Sequence, residues 1–191
     1  MSRAERVLEH LQRVQPDMLR LLEDLVTMET PSSDPASQQP LRLRLREEFE
    51  RRGYRARLLP GRNCGGHLYA APLGRPRRRP AQLLLGHCDT VWPLGTLAQM
   101  PLECSGDHLR GPGVYDMKAG LVAMLFALGA LRALGAAPEV TPLCLVNSDE
   151  EVGSRESTRY VRALAQRVER CFVLEPSLGV AGRLKTARKG V

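Results

Sequence analysis

The sequence predicts an α/β fold, a mostly parallel central sheet between helices. Three observations carry this. Short, wholly apolar runs at Leu83-Leu84-Leu85, Leu143-Cys144-Leu145-Val146 and Phe172-Val173-Leu174 read as strands buried on both faces. Stretches with helical periodicity separate them, the alternation expected of a parallel sheet. Each run also leads into a polar turn that carries acids: His87 and Asp89, then Glu150 and Glu151, then Glu175. Ligands of open α/β sheets bind outside the carboxyl ends of the strands, so these turns point to one shared site.

Taken in order, Arg3 to Val14 is an amphipathic helix with Val7, Leu8, Leu11 and Val14 on one stripe. Pro16 suits a fresh helix start, and Met18, Leu21, Leu22, Leu25 and Val26 form a core-facing stripe behind it. A third helix carries Leu41, Leu45 and Phe49 and stops near Gly53. Tyr54 to Leu59 and Gly66 to Ala71 read as neighbouring strands around the turn Pro60-Gly61-Arg62-Asn63. Asp107 to Gly111 reads as a short edge piece. Met117 to Leu134 is apolar nearly all round, hence a buried helix ended by Gly135. Thr141 to Asn147 is a buried strand, Gly153 to Val168 an amphipathic helix, Cys171 to Leu174 a further buried strand, and Leu184 to Val191 the start of another.

The chain has 191 residues, 43% hydrophobic and 26% charged, the balance of a soluble globular domain with its own core. Aromatic residues are only 4%, so aliphatic side chains fill that core. No apolar run is long enough to span a membrane. Five scattered cysteines without a Cys-x-x-Cys pair fit reduced thiols in a cytoplasm better than a disulfide framework. The net charge of +7 owes much to Arg75, Arg77, Arg78 and Arg79. That run would suit a non-catalytic basic binding fragment. It lacks interleaved aromatics and any nucleic-acid motif, so it reads instead as a solvated loop, and no nucleic-acid or membrane partner is expected.

Individually the acidic turns have ordinary explanations. His87 and Asp89, two apart at a strand end, make a hydrogen bond within a turn. The spacing also suits an imidazole ligand with a supporting carboxylate behind it. Asp116, between Gly113 and a buried helix, is an expected helix-start carboxylate, although Gly113 marks a sharp turn that could aim it inward. Asp149-Glu150-Glu151 could be a surface turn. Adjacent glutamates at the end of a buried strand are nonetheless costly unless a cation compensates them. Glu175 repeats that logic. Together, one histidine and several carboxylates suit zinc, or cobalt or manganese. Two such ions would bring the pKa of a water to about 7, with the glutamate of the pair that does not bind metal as general base.

The segments Gly86-His87-Cys88-Asp89-Thr90-Val91, Gly111-Pro112-Gly113-Val114-Tyr115-Asp116-Met117-Lys118, Asp149-Glu150-Glu151-Val152-Gly153-Ser154 and Leu174-Glu175-Pro176 resemble, in order and spacing, the co-catalytic zinc exopeptidases and deacylases of clan MH. That group includes glutamate carboxypeptidases, aminoacylases, acetylornithine deacetylases and succinyl-diaminopimelate desuccinylases, and the wording around Asp116 is most similar to the glutamate carboxypeptidase branch. The resemblance implies a three-layer α/β/α catalytic domain. It further implies that His87, Asp116, Glu151 and Glu175 hold two zinc ions, with Asp116 bridging and Glu175 joining His87. Glu150 would be the general base and Asp89 the support of His87, and the Asp116–Met117 peptide bond would be cis. The expected reaction is cleavage of an amide next to a C-terminal amino acid, in a small peptide or an N-acyl amino acid. Deacylation of N-acyl amino acids is the alternative within the family. Residues 1–191 would be the N-terminal part of the catalytic domain, without the dimerisation (lid) domain and the last histidine ligand, and therefore inactive alone. The full-length form would be a homodimer.

Overall fold

A computed structural model describes residues 1–74, 79–179 and 182–183. The strand expected over Leu184 to Val191 and most of the basic run, Arg75, Arg77 and Arg78, lie outside the described residues.

Two helices, α1 (Arg3–Arg13) and α2 (Gln15–Thr27), open the chain. The start of α1 is fixed by reciprocal bonds: Glu5 N–H donates to Ser2 Oγ at 3.2 Å and Ser2 N–H donates to Glu5 Oε2 at 2.6 Å. None of its residues is fully buried, whereas α2 buries Leu21, Leu22, Leu25 and Val26. The third helix, α3 (Gln39–Arg51), buries Leu41, Leu45 and Phe49. It then hands over at Gly53, whose φ of 81° favours glycine, to β1 (Tyr54–Leu59). Next come β2 (His67–Pro72), β3 (Ala81–His87), a short α4 (Thr96–Gln99), β4 (Glu103–Ser105) and β5 (His108–Arg110). After a kinked segment, Val114–Lys118, follow α5 (Ala119–Ala133), β6 (Thr141–Asn147), α6 (Thr158–Ala165) and β7 (Arg170–Val173).

The five-stranded sheet has the order β1-β2-β6-β3-β7. Its β3 is parallel to both β6 and β7, while β2 is antiparallel to β1 and β6. Four strands therefore share one direction and only β2 is reversed. All seven residues of β6 are buried, as its unbroken apolar run requires. Helices α2, α3 and α5 supply the core on one face, with Leu25, Leu45, Phe49, Leu121 and Leu125 fully buried. Because side chains alternate along a strand, His67 projects opposite Leu68, which lies in that core. Tyr160 of α6 meets the His67 ring edge-on at 5.4 Å, so α6 covers the other face.

Four expectations need correction. The strand expected to be buried over Cys171 to Leu174 forms as β7, but all its residues are exposed, Phe172 by 47%. It pairs only with β3 among the described residues, and an apolar run cannot by itself distinguish a central strand from an edge. The helix expected over Gly153 to Val168 spans only Thr158–Ala165, because Gly153 and Ser154 adopt left-handed φ of 92° and 54°. The piece near Asp107 pairs with β4 in a separate two-stranded ribbon and is no edge of the main sheet. Finally, Val114–Ala133 is long and apolar enough, by length and composition, to cross a membrane, although half of it is buried inside this fold.

Packing sets the stability of this framework. Leu125 is fully buried between helices and sheet, whereas Leu8 on α1 is 57% exposed. Leu125→Ala should cost about 2–5 kcal/mol in urea unfolding, and Leu8→Ala within about 0.5 kcal/mol. Equal effects would contradict the assigned core.

Candidate metal centre

His87 closes β3 and is 1% exposed. Its two ring nitrogens face different partners. Nδ1 lies 2.9 Å from the Asp89 backbone oxygen and 3.4 Å from Asp89 Oδ1. Nε2 lies 3.0 Å from Asp116 Oδ1 and 3.3 Å from Glu175 Oε1. The ring is therefore oriented from behind and presents Nε2 to the carboxylates. Its own backbone N–H donates to Met117 Sδ at 3.1 Å.

Asp89 does more than face His87. It is fully buried, and Oδ1 accepts the Glu150 N–H at 3.2 Å. Oδ2 accepts the Glu151 N–H at 3.1 Å and the Ser32 hydroxyl at 2.7 Å. Burial works against its charge, but the bonds from His87 and Ser32 hold its pKa below the usual carboxylate value. Sequence reasoning missed the two backbone donors and Ser32. A backbone N–H leaves no residue signature, and Ser32 is remote in sequence.

The other carboxylates arrive on separate elements. Asp116 sits in the kinked segment after Gly113, whose φ is 70°, and the Asp116–Met117 peptide is cis. Glu150 and Glu151 follow β6. Glu175 follows β7, where the Leu174 N–H donates to Leu85 O at 2.9 Å. Gly120 at the start of α5 permits that approach: a Cβ there would stand 2.1 Å from the Leu174 oxygen.

Donor atoms of His87, Asp116 and Glu151 lie within 4.8 Å of one another, and so do those of His87, Glu150 and Glu175. All five residues thus converge, and Asp89 braces them from behind. Glu150 stands as close to His87 and Glu175 as a ligand would, a proximity that sequence spacing does not reveal. The group opens into a cleft of about 790 Å³ at the ends of β3 and β7, whose wall also includes Arg162 and Arg183.

The electrostatics fit a cation. Burial alone would lower the His87 pKa, but Asp89 and Glu175 raise it to about 11. Burial raises the Asp116 pKa, with the neighbouring Glu175 charge adding to it. Burial likewise raises that of Glu151, and Asp116, Asp89 and Glu150 reinforce it. Crowded acids around one imidazole are short of positive charge, and a divalent ion among one nitrogen and several oxygen donors would supply it.

Asp89→Ala should therefore weaken divalent-metal binding by about 10–100-fold. It should also lower stability, because two backbone N–H groups lose their acceptor at about 1–3 kcal/mol each when buried. Equilibrium dialysis and urea unfolding check this. Unchanged metal affinity would contradict the bracing role.

Residues 83–187 match the family described as Peptidase family M20/M25/M40. Carboxypeptidase G2 of Pseudomonas sp. (strain RS-16) is 30% identical over 183 residues, which is 93% of this chain and 43% of that protein. Succinyl-diaminopimelate desuccinylase of Rhodospirillum centenum (strain ATCC 51521 / SW) is 30% identical over 190 residues, 92% of this chain and 47% of that protein. The fold is similar to human carnosine dipeptidase 1, with a TM-score of 0.77 and 20% identity over 91% of this chain and 41% of that one. It is also similar to the M20 family metallo-carboxypeptidase Sso-CP2 from Sulfolobus solfataricus, with a TM-score of 0.72 and 20% identity over 87% of this chain and 39% of that one. The chain spans less than half the length of these relatives. With a family match over residues 83–187 that takes in His87, Asp116, Glu150, Glu151 and Glu175, the chain belongs to peptidase family M20/M25/M40.

Proposed function

We propose that the protein is a metal-dependent amidohydrolase that cleaves the amide bond next to a C-terminal amino acid, in the manner of a glutamate carboxypeptidase. The observation that carries this reading is the convergence of His87 Nε2 with Asp116, Glu150, Glu151 and Glu175 at the mouth of one cleft. His87, Asp116, Glu151 and Glu175 would hold two zinc ions, with cobalt or manganese as substitutes. Ions bound there would supply a Lewis acid for the amide carbonyl and an acidified water.

The chain's own residues divide the remaining work. Asp89 holds the His87 ring so that Nε2, and not Nδ1, faces the centre. It also fixes the backbone from which both glutamate side chains leave. Glu150 takes up the proton of the attacking water and returns it to the departing amine nitrogen. Arg162 and Arg183 on the cleft wall suit a substrate that carries a carboxylate. By the same family resemblance, the protein acts as a homodimer in the cytoplasm.

A second reading, deacylation of N-acyl amino acids, is favoured by the similarity to the Rhodospirillum centenum desuccinylase. The two readings share the centre and differ in the group that fills the cleft. Amine release from an N-acyl glutamate and from an N-succinyl diamino acid, compared on the whole protein, separates them. Faster turnover of the glutamate substrate supports the first.

The division between the two glutamates has its own test. Glu150→Gln should keep the metal content and lower turnover by about 10²–10⁴-fold, whereas Glu151→Gln should lose metal. Metal analysis of the two purified variants decides, and equal loss in both would refute the division.

A further inference from the structure

Behind the loop that carries Glu150 and Glu151 lies a second group of metal-ligand side chains. Cys64 sits in the turn between β1 and β2, His67 opens β2, and Asp149 follows β6. A ring nitrogen of His67, the Cys64 sulfur and an Asp149 oxygen all lie within 4.8 Å of one another. We propose that Cys64, His67 and Asp149 form a separate structural site for a divalent cation of zinc type, which fastens the β1–β2 turn to the loop bearing the general base.

The imidazole is the first support. His67 is fully buried, and the ring nitrogen turned toward the thiol is Nε2. Among the described residues this nitrogen has only a long 3.9 Å contact with Cys64 Sγ. Most buried polar atoms are paired, and each exception asks for a cause.

Distances are the second support. Bonds of about 2.3 Å to sulfur and about 2.0 Å to nitrogen at a tetrahedral angle put the two donors roughly 3.5 Å apart. The observed 3.9 Å needs only a few tenths of an ångström of closure.

Pre-organisation is the third. The Glu156 carboxylate accepts the N–H groups of Arg62 at 2.7 Å and Asn63 at 2.6 Å, which draws the turn carrying Cys64 toward α6. Gln38 Oε1 holds the same turn through the Gly65 N–H at 3.0 Å. Asp149 Oδ2 accepts the N–H groups of Glu156 at 2.7 Å and Ser157 at 3.1 Å. Its Oδ1 has a weaker contact at 3.4 Å with Asn147 Nδ2. Ligating carboxylates are commonly oriented by such outer bonds.

The donor set chooses the ion. A thiol, an imidazole and a carboxylate select zinc or cobalt over magnesium or calcium, which prefer oxygen alone. Binding would release the thiol proton to solvent. Three protein donors leave the fourth tetrahedral position to water.

Cobalt(II) reports the thiolate directly, because thiolate-to-cobalt charge transfer gives a near-ultraviolet band that carboxylate and imidazole ligands do not. Metal-free chain titrated with cobalt(II) should develop this band. It should vanish in Cys64→Ser and His67→Gln, persist in His87→Ala, where the carboxylate centre is crippled, and persist in Cys104→Ser and Cys171→Ser. No band in the unaltered chain, or a band that survives Cys64→Ser, would overturn the proposal. Should Cys64→Ser fail to fold, alkylation of the unaltered chain decides. Zinc should slow iodoacetamide labelling of Cys64 at least tenfold, and equal labelling with and without zinc would overturn the site.

Discussion

The candidate centre hangs on one buried carboxylate. Asp89 is fully desolvated, and its two oxygens gather three stretches of chain: the loop after α2 through Ser32, the end of β3 through His87, and the end of β6 through the N–H groups of Glu150 and Glu151. A desolvated charge is tolerable only when so fully bonded. These bonds set which face of the imidazole looks into the cleft and where the paired glutamates begin. The surrounding fold positions Asp89 in turn, because β3 runs in register between β6 and β7 and so brings their polar ends together.

The same geometry creates an electrostatic problem. Asp116, Glu150, Glu151 and Glu175 gather around one imidazole nitrogen, and burial makes the charge of Asp116 and Glu151 harder to hold. Without a cation, burial disfavours a proton on His87, but Asp89 and Glu175 favour one and raise its pKa to about 11. A divalent ion would take the place of that proton and leave Nε2 free to bind the metal. The sheet would then provide a rigid frame, and the acids at the strand ends the coordination sphere.

Much of the frame was readable because strands covered on both faces must be apolar: β6, buried throughout, and β3, buried in part, stood out as unbroken runs. The acids at their ends stood out because charge beside such runs is costly. What remained hidden was of three kinds. Backbone donors, as at Glu150 and Glu151, leave no residue type to recognise. Backbone conformation overrode propensity at Gly153 and Ser154, where left-handed φ values delay α6. Edge and centre look alike in sequence, so β7 reads as buried although Phe172 and Val173 are exposed. Cys64, His67 and Asp149 went unnoticed for a related reason: sheet pairing of β2 with β6 unites them, and no spacing along the chain announces it.

We propose that the cleft at the ends of β3 and β7 is a two-ion centre braced by Asp89. Crystals of the zinc-loaded protein, measured at the zinc absorption edge, test it most directly. The account predicts two anomalous peaks about 3.5–4 Å apart within bonding distance of the Asp116 carboxylate, one of them on His87 Nε2, with Asp89 still bonded to the Glu150 and Glu151 N–H groups. Fully loaded protein with no peak at His87, or with His87 bound through Nδ1, would contradict it.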